Sequence, residues 1–339
     1  MTSNKILIIR FSSIGDIVLT TPVIRNLKKQ LQGAEIHYCT KKQYSSILEA
    51  NPYLDKIHYL EDSLNDLVAK LKKENFTYIV DLHHNLRTWI LKTRLGIKSS
   101  SFKKLNLDKW LLVNLKINRM PSNIHLVDRY METINSLGVT NDLQGLDYFI
   151  PDKDEVEDDW LPKEFQKGYV VFAIGGKFNT KKLPLPKMIH LCDMINRPVI
   201  LLGGKEDQTT GDEIEKFFRK NQPHPVEEKL FEMNKKTLVF NGCGKFNLNQ
   251  SASVIKNARY VFTHDTGLMH IAAAFNKEIY SIWGNTTPYF GMYPYKSKFT
   301  VFENNRLKCR PCSKIGHSKC PLTHFKCMND LKFDFYLKW

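Results

Sequence analysis

Short apolar runs of strand length alternate with stretches of helical period along this chain, in two successive series. No other feature narrows its fold as much. In the first series Lys5–Arg10, Glu35–Thr40, Lys56–Leu60 and Tyr78–Leu82 read as strands. Between them Val23, Leu27 and Leu31, then Leu64, Leu67, Val68 and Leu71, recur at three- and four-residue spacing, and Pro22 suits a first helical turn. A helix around Leu126–Leu137 closes the series. In the second, Tyr169–Ile174, Pro198–Leu202, Thr237–Phe240, Tyr260–Thr263 and Glu278–Trp283 are strand candidates, with helices between most of them. Repeated βα units imply parallel sheets with helices on both faces. The expected fold class is therefore α/β: two doubly wound, Rossmann-like domains. They would face each other across a cleft at the carboxyl ends of their strands, where ligands bind in such folds.

The rhythm breaks between Asp142 and Lys167. This stretch holds Pro151 and Pro162 and the acidic run Asp152, Asp154, Glu155, Glu157, Asp158, Asp159. It reads as an interdomain linker with a solvated face, dividing the chain into domains 1–150 and 151–339. A length of 339 residues agrees with two domains. No apolar run approaches the ~20 residues that span a bilayer. Ile6-Leu7-Ile8-Ile9 is too short for a signal-peptide core, so a cytoplasmic protein is expected. The formal charge of +15 calls for an anionic partner, and nucleic acid, anionic lipid and phosphorylated substrates all suit it. No nucleic-acid-binding motif appears, which argues against the first.

Chemistry is expected at the strand ends. The first βα turn, Arg10-Phe11-Ser12-Ser13-Ile14-Gly15-Asp16, lacks G-x-G-x-x-G and so argues against a standard dinucleotide site. Asp16 reads either as a general base or as a cap of the following helix. In the second half one strand ends in Gly175-Gly176-Lys177, followed by Asn179-Thr180-Lys181-Lys182-Leu183-Pro184, residue types that suit a phosphate. Another ends in Gly203-Gly204-Lys205-Glu206-Asp207, where a carboxylate can hold ribose hydroxyls. A third turns into a helix through His264-Asp265-Thr266-Gly267. There Asp265 or Thr266 is expected to cap the helix by its side chain, Gly267 to admit a ligand, and Thr266 and His270 to share a face. Three such strand ends in one half suit a nucleotide-diphosphate.

Ile6–Pro22 (ILIIRFSSIGDIVLTTP), Gly203–Asp207 and His264–Ala274 (HDTGLMHIAAA) together resemble the glycosyltransferase family of the ADP-heptose:lipopolysaccharide heptosyltransferases, of the family 9 type. Gly284-Asn285-Thr286-Thr287-Pro288 is similar to that family's Gly-led segment after the next strand. The resemblance spans both halves in the right order. It implies a GT-B fold with the acceptor on the N-terminal domain and the donor, an ADP-linked sugar above others, on the C-terminal one. It also implies inverting transfer with no metal or other cofactor. Asp16 would then deprotonate the acceptor hydroxyl. Lys181 would face the diphosphate and Glu206 the nucleoside. Asp265, Thr266, Gly267 and His270 would line the sugar-diphosphate pocket. Leu183 departs from the aromatic residue usual in the family before Pro184, which leaves the choice between Lys181 and Lys182 open.

On the acceptor side the candidates are Ser13, His83 and Arg87. His83 belongs to Asp81-Leu82-His83-His84-Asn85, which reads equally as a capped helix start. From Arg87 to Arg119 nine basic residues face one acid, Asp108, with Trp89 and Trp110 among them. This stretch reads as a solvated face or as a surface for anionic lipid and a phosphorylated glycolipid acceptor, at the inner face of the cytoplasmic membrane. Four of the seven cysteines, Cys309, Cys312, Cys320 and Cys327, crowd the basic C-terminal stretch with His317 and His324. Reduced thiols, structural zinc and redox pairing are the readings of that cluster. Two further readings of the whole chain stand beside a glycosyltransferase: another nucleotide-sugar enzyme such as an epimerase, and a basic nucleic-acid-binding protein.

Overall fold

The computed structural model describes residues 4–220 and 237–339. Two parallel sheets carry the chain. The first contains β1 (Lys5–Ile9), β2 (Glu35–Lys41), β3 (Lys56–Leu60), β4 (Tyr78–Asp81) and β5 (Ser99–Ser101), in the order β3-β2-β1-β4-β5. The second contains β6 (Val170–Ala173), β7 (Val199–Leu202), β8 (Val239–Asn241), β9 (Tyr260–His264), β10 (Glu278–Trp283) and β11 (Phe299–Glu303), in the order β11-β10-β9-β6-β7-β8. The α-helices among the described residues are α1 (Ile14–Val18), α2 (Thr21–Gln30), α3 (Leu64–Lys72), α4 (Leu86–Leu95), α5 (Asn106–Trp110), α6 (Leu126–Met131), α7 (Leu185–Ile195), α8 (Gln208–Lys220), α9 (Leu248–Asn257), α10 (Gly267–Ala274) and α11 (Lys326–Asn329). None is long and apolar enough to cross a membrane.

Both faces of each sheet are covered, which is why the strands read as continuous apolar runs. Alternation along β1 sends Leu7 and Ile9 into a core closed by Leu67, Val68 and Leu71 of α3. Ile6 and Ile8 point the other way, into a larger core. That larger core also receives Val171 of β6, while its neighbours Val170 and Phe172 turn into a third core. One hydrophobic core therefore runs between the two sheets, and each sheet has a private core on its far side.

Four expectations are corrected. The acidic linker is a solvated face only in part: Asp152, Glu157 and Asp159 are exposed, but the rest of it is packed down. Tyr148, Val156, Leu161 and Phe165 are buried in the shared core. Asp154 accepts hydrogen bonds from Asn247 and Asn249, and Glu155 from Ser253 and Lys256. Upstream, Asp142 and Asp147 hold the buried Arg25 of α2. The expected helix Leu126–Leu137 tightens to 3₁₀ geometry from Glu132 to Leu137 and ends at Gly138. Two edge strands escaped the pattern, because β5 is three serines and β11 lies in a stretch that reads as irregular. The fourth concerns the cap of α10.

Candidate active site

β1 ends at Ile9 and the chain turns through Arg10 into α1, whose N-cap is Ser13. Asp16 sits in the first turn of α1. One carboxylate oxygen accepts from the Ser13 N–H (3.2 Å) and Oγ (2.8 Å), and the other pairs with the Arg10 guanidinium at 2.6 Å. Arg10 is itself buried and also donates to the carbonyls of Ser12 and Leu82. Burial alone would push the Asp16 carboxyl up; Arg10 and the Ser13 hydrogen bonds outweigh it and hold the group below the usual carboxylate range. Asp16 thus performs the capping role the spacing allows and presents an ionised carboxylate as well. The spare lone pairs on its oxygens can accept a further proton donor.

Across the junction, β9 leads into α10. Its N-cap is Thr266, which makes no side-chain capping bond, and Asp265 makes none either. Asp265 is nearly buried and spoken for: it accepts from Thr286 Oγ1 at 2.9 Å and pairs with Lys181 Nζ at 2.7 Å, while Lys181 also donates to its carbonyl. Asp265 therefore fastens two loops together, and the first N–H groups of α10 have no side-chain cap, an arrangement suited to an anion.

The two turns meet at glycines. A Cβ on Gly15 would lie 2.5 Å from His270 Cδ2 and 3.4 Å from Gly267 Cα, and one on Gly267 would strike Ile14. The site thus brings Ser13, Asp16, Asp265, Thr266, Gly267, His270 and Lys181 to one junction. His270 is 2% exposed, and burial drives its pKa down to about 4, so its ring is neutral; its Nδ1 makes no hydrogen bond.

The loop after β6 is pinned by a residue that spacing did not single out. His264 is buried, with its pKa driven down to about 3 by burial, and its Nε2 accepts from the Leu183 N–H at 3.0 Å. This holds Lys181 and Lys182 on divergent paths: Lys182 Nζ pairs at 3.0 Å with the buried Asp207. Asp207 also accepts from the Gly204 N–H, closing the turn after β7. Glu206 is exposed on that turn. Ile174, Lys182, Leu183, Leu185, Met188 and Asp207 are among the residues lining a cavity of about 260 Å³ beside it.

The N-terminal side supplies cations. His83 packs edge-on against Phe11, and burial with the nearby Arg10 and Lys104 lowers its pKa to about 4. Lys104 is lowered by burial and by Arg10, while Asp81 and Asp16 oppose the shift. Lys109 is lowered to about 8 by burial and by Arg129, with Asp16 again opposing. Arg129 is buried, donates to the carbonyls of Lys103 and Phe290, and leaves its Nε without a partner. Lys104 and Lys109 stand in the basic run but look like any other lysine there; Arg129, inside α6, gives no signal. The segment Asp81–Asn85 has a structural account, since Asn85 caps α4 and buried Asp81 pairs with Lys92. Arg87 lies exposed on α4.

Comparison with known proteins gives this geometry a family. Residues 65–322 match the model of glycosyltransferase family 9 (heptosyltransferase). The chain is similar to lipopolysaccharide heptosyltransferase 1 of Campylobacter coli, 24% identical over 84% of this chain and 85% of that protein. It is 31% identical to lipooligosaccharide heptosyltransferase 2 of Haemophilus influenzae, over 44% of this chain and 42% of that one. Among solved structures, ADP-heptose lps heptosyltransferase II of E. coli superposes with a TM-score of 0.65 at 18% identity, over 96% of this chain and 98% of that one. At that identity the match speaks for the fold, GT-B. With three quarters of its length under the family model, this chain belongs to glycosyltransferase family 9, the heptosyltransferases.

Proposed function

We propose that this protein transfers a heptose or closely related sugar from an ADP-linked donor to a lipopolysaccharide-core or similar glycolipid, with inversion and without a metal. One observation carries the reading: the Asp16 carboxylate and the uncapped N-terminus of α10 meet where Gly15 packs on Gly267 and His270. In the reaction the acceptor oxygen attacks the anomeric carbon as Asp16 takes its proton. The bond from that carbon to the diphosphate breaks, and ADP leaves with the electron pair. Lys181 and the α10 amides lie where that developing charge is stabilised. The relatives named above support the donor and acceptor classes. The cavity beside Met188 and Leu183 suits a nucleoside base, and Glu206, next in sequence to the lining residue Asp207, is the group proposed for the ribose. Lys104, Lys109 and Arg129 suit an anionic acceptor, with Ser13, His83 and Arg87 as further acceptor-side groups. Leu107, Trp110 and Leu115, all exposed beside basic residues, suit an anionic membrane surface.

The test is calorimetry with ADP- and UDP-linked sugars, with and without chelator, on wild type and Asp16→Ala, beside a transfer assay. ADP-sugar binding that survives both the chelator and the substitution, with transfer lost only in the mutant, is the expected result. Failure of every nucleotide to bind would overturn the reading.

A further inference from the structure

The chain from Asn304 to Phe325 has no helix or strand, yet it grips both loops that carry Lys181 and Asp265's partner Thr286. On the turn after β10 it takes three successive carbonyls. Arg310 donates from Nε to Gly284 and from a terminal nitrogen, at 2.9 Å, to Thr286, while the Cys312 N–H donates to Asn285 at 3.0 Å. The same guanidinium pairs with Glu303 at 2.9 Å and donates to Asn305 Oδ1, and its side chain is 5% exposed. Further along, the His317 carbonyl accepts from the Thr180 N–H and hydroxyl, and the His317 N–H donates back to that hydroxyl at 2.8 Å. The two loops meet at Gly284, where a Cβ would lie 2.8 Å from the Thr180 carbonyl oxygen. On the donor role proposed above for Lys181, we infer that Arg310 is a positioning residue: it fixes the Gly284–Thr286 turn and, through Thr286 and Asp265, the place of Lys181 at the diphosphate.

The relay is short. Thr286 Oγ1 donates to Asp265 at 2.9 Å, and Asp265 pairs with Lys181 Nζ at 2.7 Å. A hydroxyl meets its acceptor reproducibly only when its own backbone is held, and Arg310 holds that backbone on either side of Asn285. Arginine suits the place and lysine does not. A planar guanidinium reaches two carbonyls, a carboxylate and an amide oxygen at once, whereas an ammonium is a point charge on a flexible stem. Glu303 compensates the buried cation, so its remaining N–H groups are free to face carbonyls. The other anchor is built for close approach. Gly316 adopts φ +129°, a conformation open to glycine, and a Cβ there would lie 2.5 Å from the Cβ of Phe178, at the start of the Lys181 loop. Between the anchors the buried Ser313 hydroxyl accepts from the Ile315 and Gly316 N–H groups, which keeps their spacing.

The experiment compares wild type, Arg310→Met and Arg310→Lys in the full chain. Amide hydrogen exchange is followed by mass spectrometry without ligand. Exchange within 178–183 and 284–288 should quicken by about tenfold or more, the worth of one lost charge-assisted hydrogen bond, while the β6 and β7 amides keep their rates. In a transfer assay the donor KM should rise by a similar factor, with the acceptor KM unchanged. That rise should vanish when Lys181→Ala is already present, because Arg310 acts through Lys181. Faster exchange throughout the chain would make Arg310 a stability residue and overturn the proposal. Unchanged exchange in both loops would overturn it too, as would additive effects of the Arg310 and Lys181 substitutions on the donor KM. Where Arg310→Met fails to fold, Arg310→Lys, which keeps the charge, decides. If the wild type binds no nucleotide sugar, the function proposed above falls, and the exchange rates still decide whether Arg310 holds the two loops.

Discussion

Gly15 and His270 are packed so closely across the junction of the two halves that a single methyl group on Gly15 would overlap the His270 ring. His270 is enclosed and the Gly267 backbone stands behind it, so neither can yield cheaply. Gly15→Ala should cost about 1–3 kcal/mol of stability by overpacking. It should also slow transfer, because it separates Asp16 from α10. Thermal unfolding and kcat would be read together. Combining it with His270→Ala should recover part of the stability loss, since the two sites share one contact. Strict additivity would show that the contact is not the cause.

Asp16→Asn keeps the shape of the first βα turn and removes the charge. Transfer should fall by about 10²–10⁴, the usual contribution of a positioned base. Affinity for ADP should be unchanged by calorimetry, because the proposed donor site lies on the other half. Equal losses in binding and rate would make Asp16 a structural cap alone.

Lys181 and Lys182 can be separated. Lys181 stands at the α10 N-terminus on Asp265, whereas Lys182 is committed to Asp207. Lys181→Ala should weaken ADP-sugar binding by about 1.5–3 kcal/mol, the worth of a hydrogen bond to a charged group. Lys182→Ala should act chiefly on thermal stability, by leaving buried Asp207 unpaired. The opposite pattern would move the diphosphate to Lys182.

Lys109 titrates at about 8, so it carries its charge at neutral pH and loses it as the pH rises through that value. KM for an anionic acceptor should therefore rise above about pH 8, with KM for the donor flat. Lys109→Met should show the raised KM at neutral pH and no further rise. A pH-independent acceptor KM in the wild type would remove Lys109 from the acceptor site.

Acid should unfold the protein early. His58 and His270 have pKa values near 4 and His125 and His264 near 3, all lowered by burial from 6.5. Between those values and 6.5 the unfolded chain binds protons that the folded chain refuses, so stability falls as the pH falls through this window. The slope approaches about 1.4 kcal/mol per pH unit for each such group. Melting temperature from pH 7 to 4.5 checks this; a flat profile would contradict neutral, buried rings.

The parallel sheets were legible because buried strands such as Ile6–Ile9 and Val199–Leu202 are written as uninterrupted apolar runs, and turns such as His264–Gly267 mark their ends. Ser99–Ser101 was not, since an edge strand can be held by backbone pairing with no apolar signature. The acid-rich linker was half legible: Asp152, Glu157 and Asp159 are solvated as their charge suggests, whereas Asp154, Asp142 and Asp147 find partners, Asn247, Asn249 and Arg25, supplied from far away in sequence. For the same reason Asp16 was visible and the cations near it, Arg10, Lys104 and Lys109, were not. A residue's candidacy as a base can be read from its place after a strand. The cations that tune it are gathered by tertiary structure.

The fastening of the linker has a mechanical consequence. Asp147 belongs to the first half through Arg25, and Tyr148, the next residue, belongs to the second through its hydroxyl bond to Asn249. The allegiance of these two side chains thus changes across one peptide bond. Elsewhere between the halves the His125 ring holds the Tyr293 carbonyl and the Leu126 N–H holds that of Gly291. Arg129 adds a bond to the Phe290 carbonyl and the Tyr295 hydroxyl one to Asp128, so any opening of the cleft has to part this whole set of bonds and cannot be taken up by the linker alone.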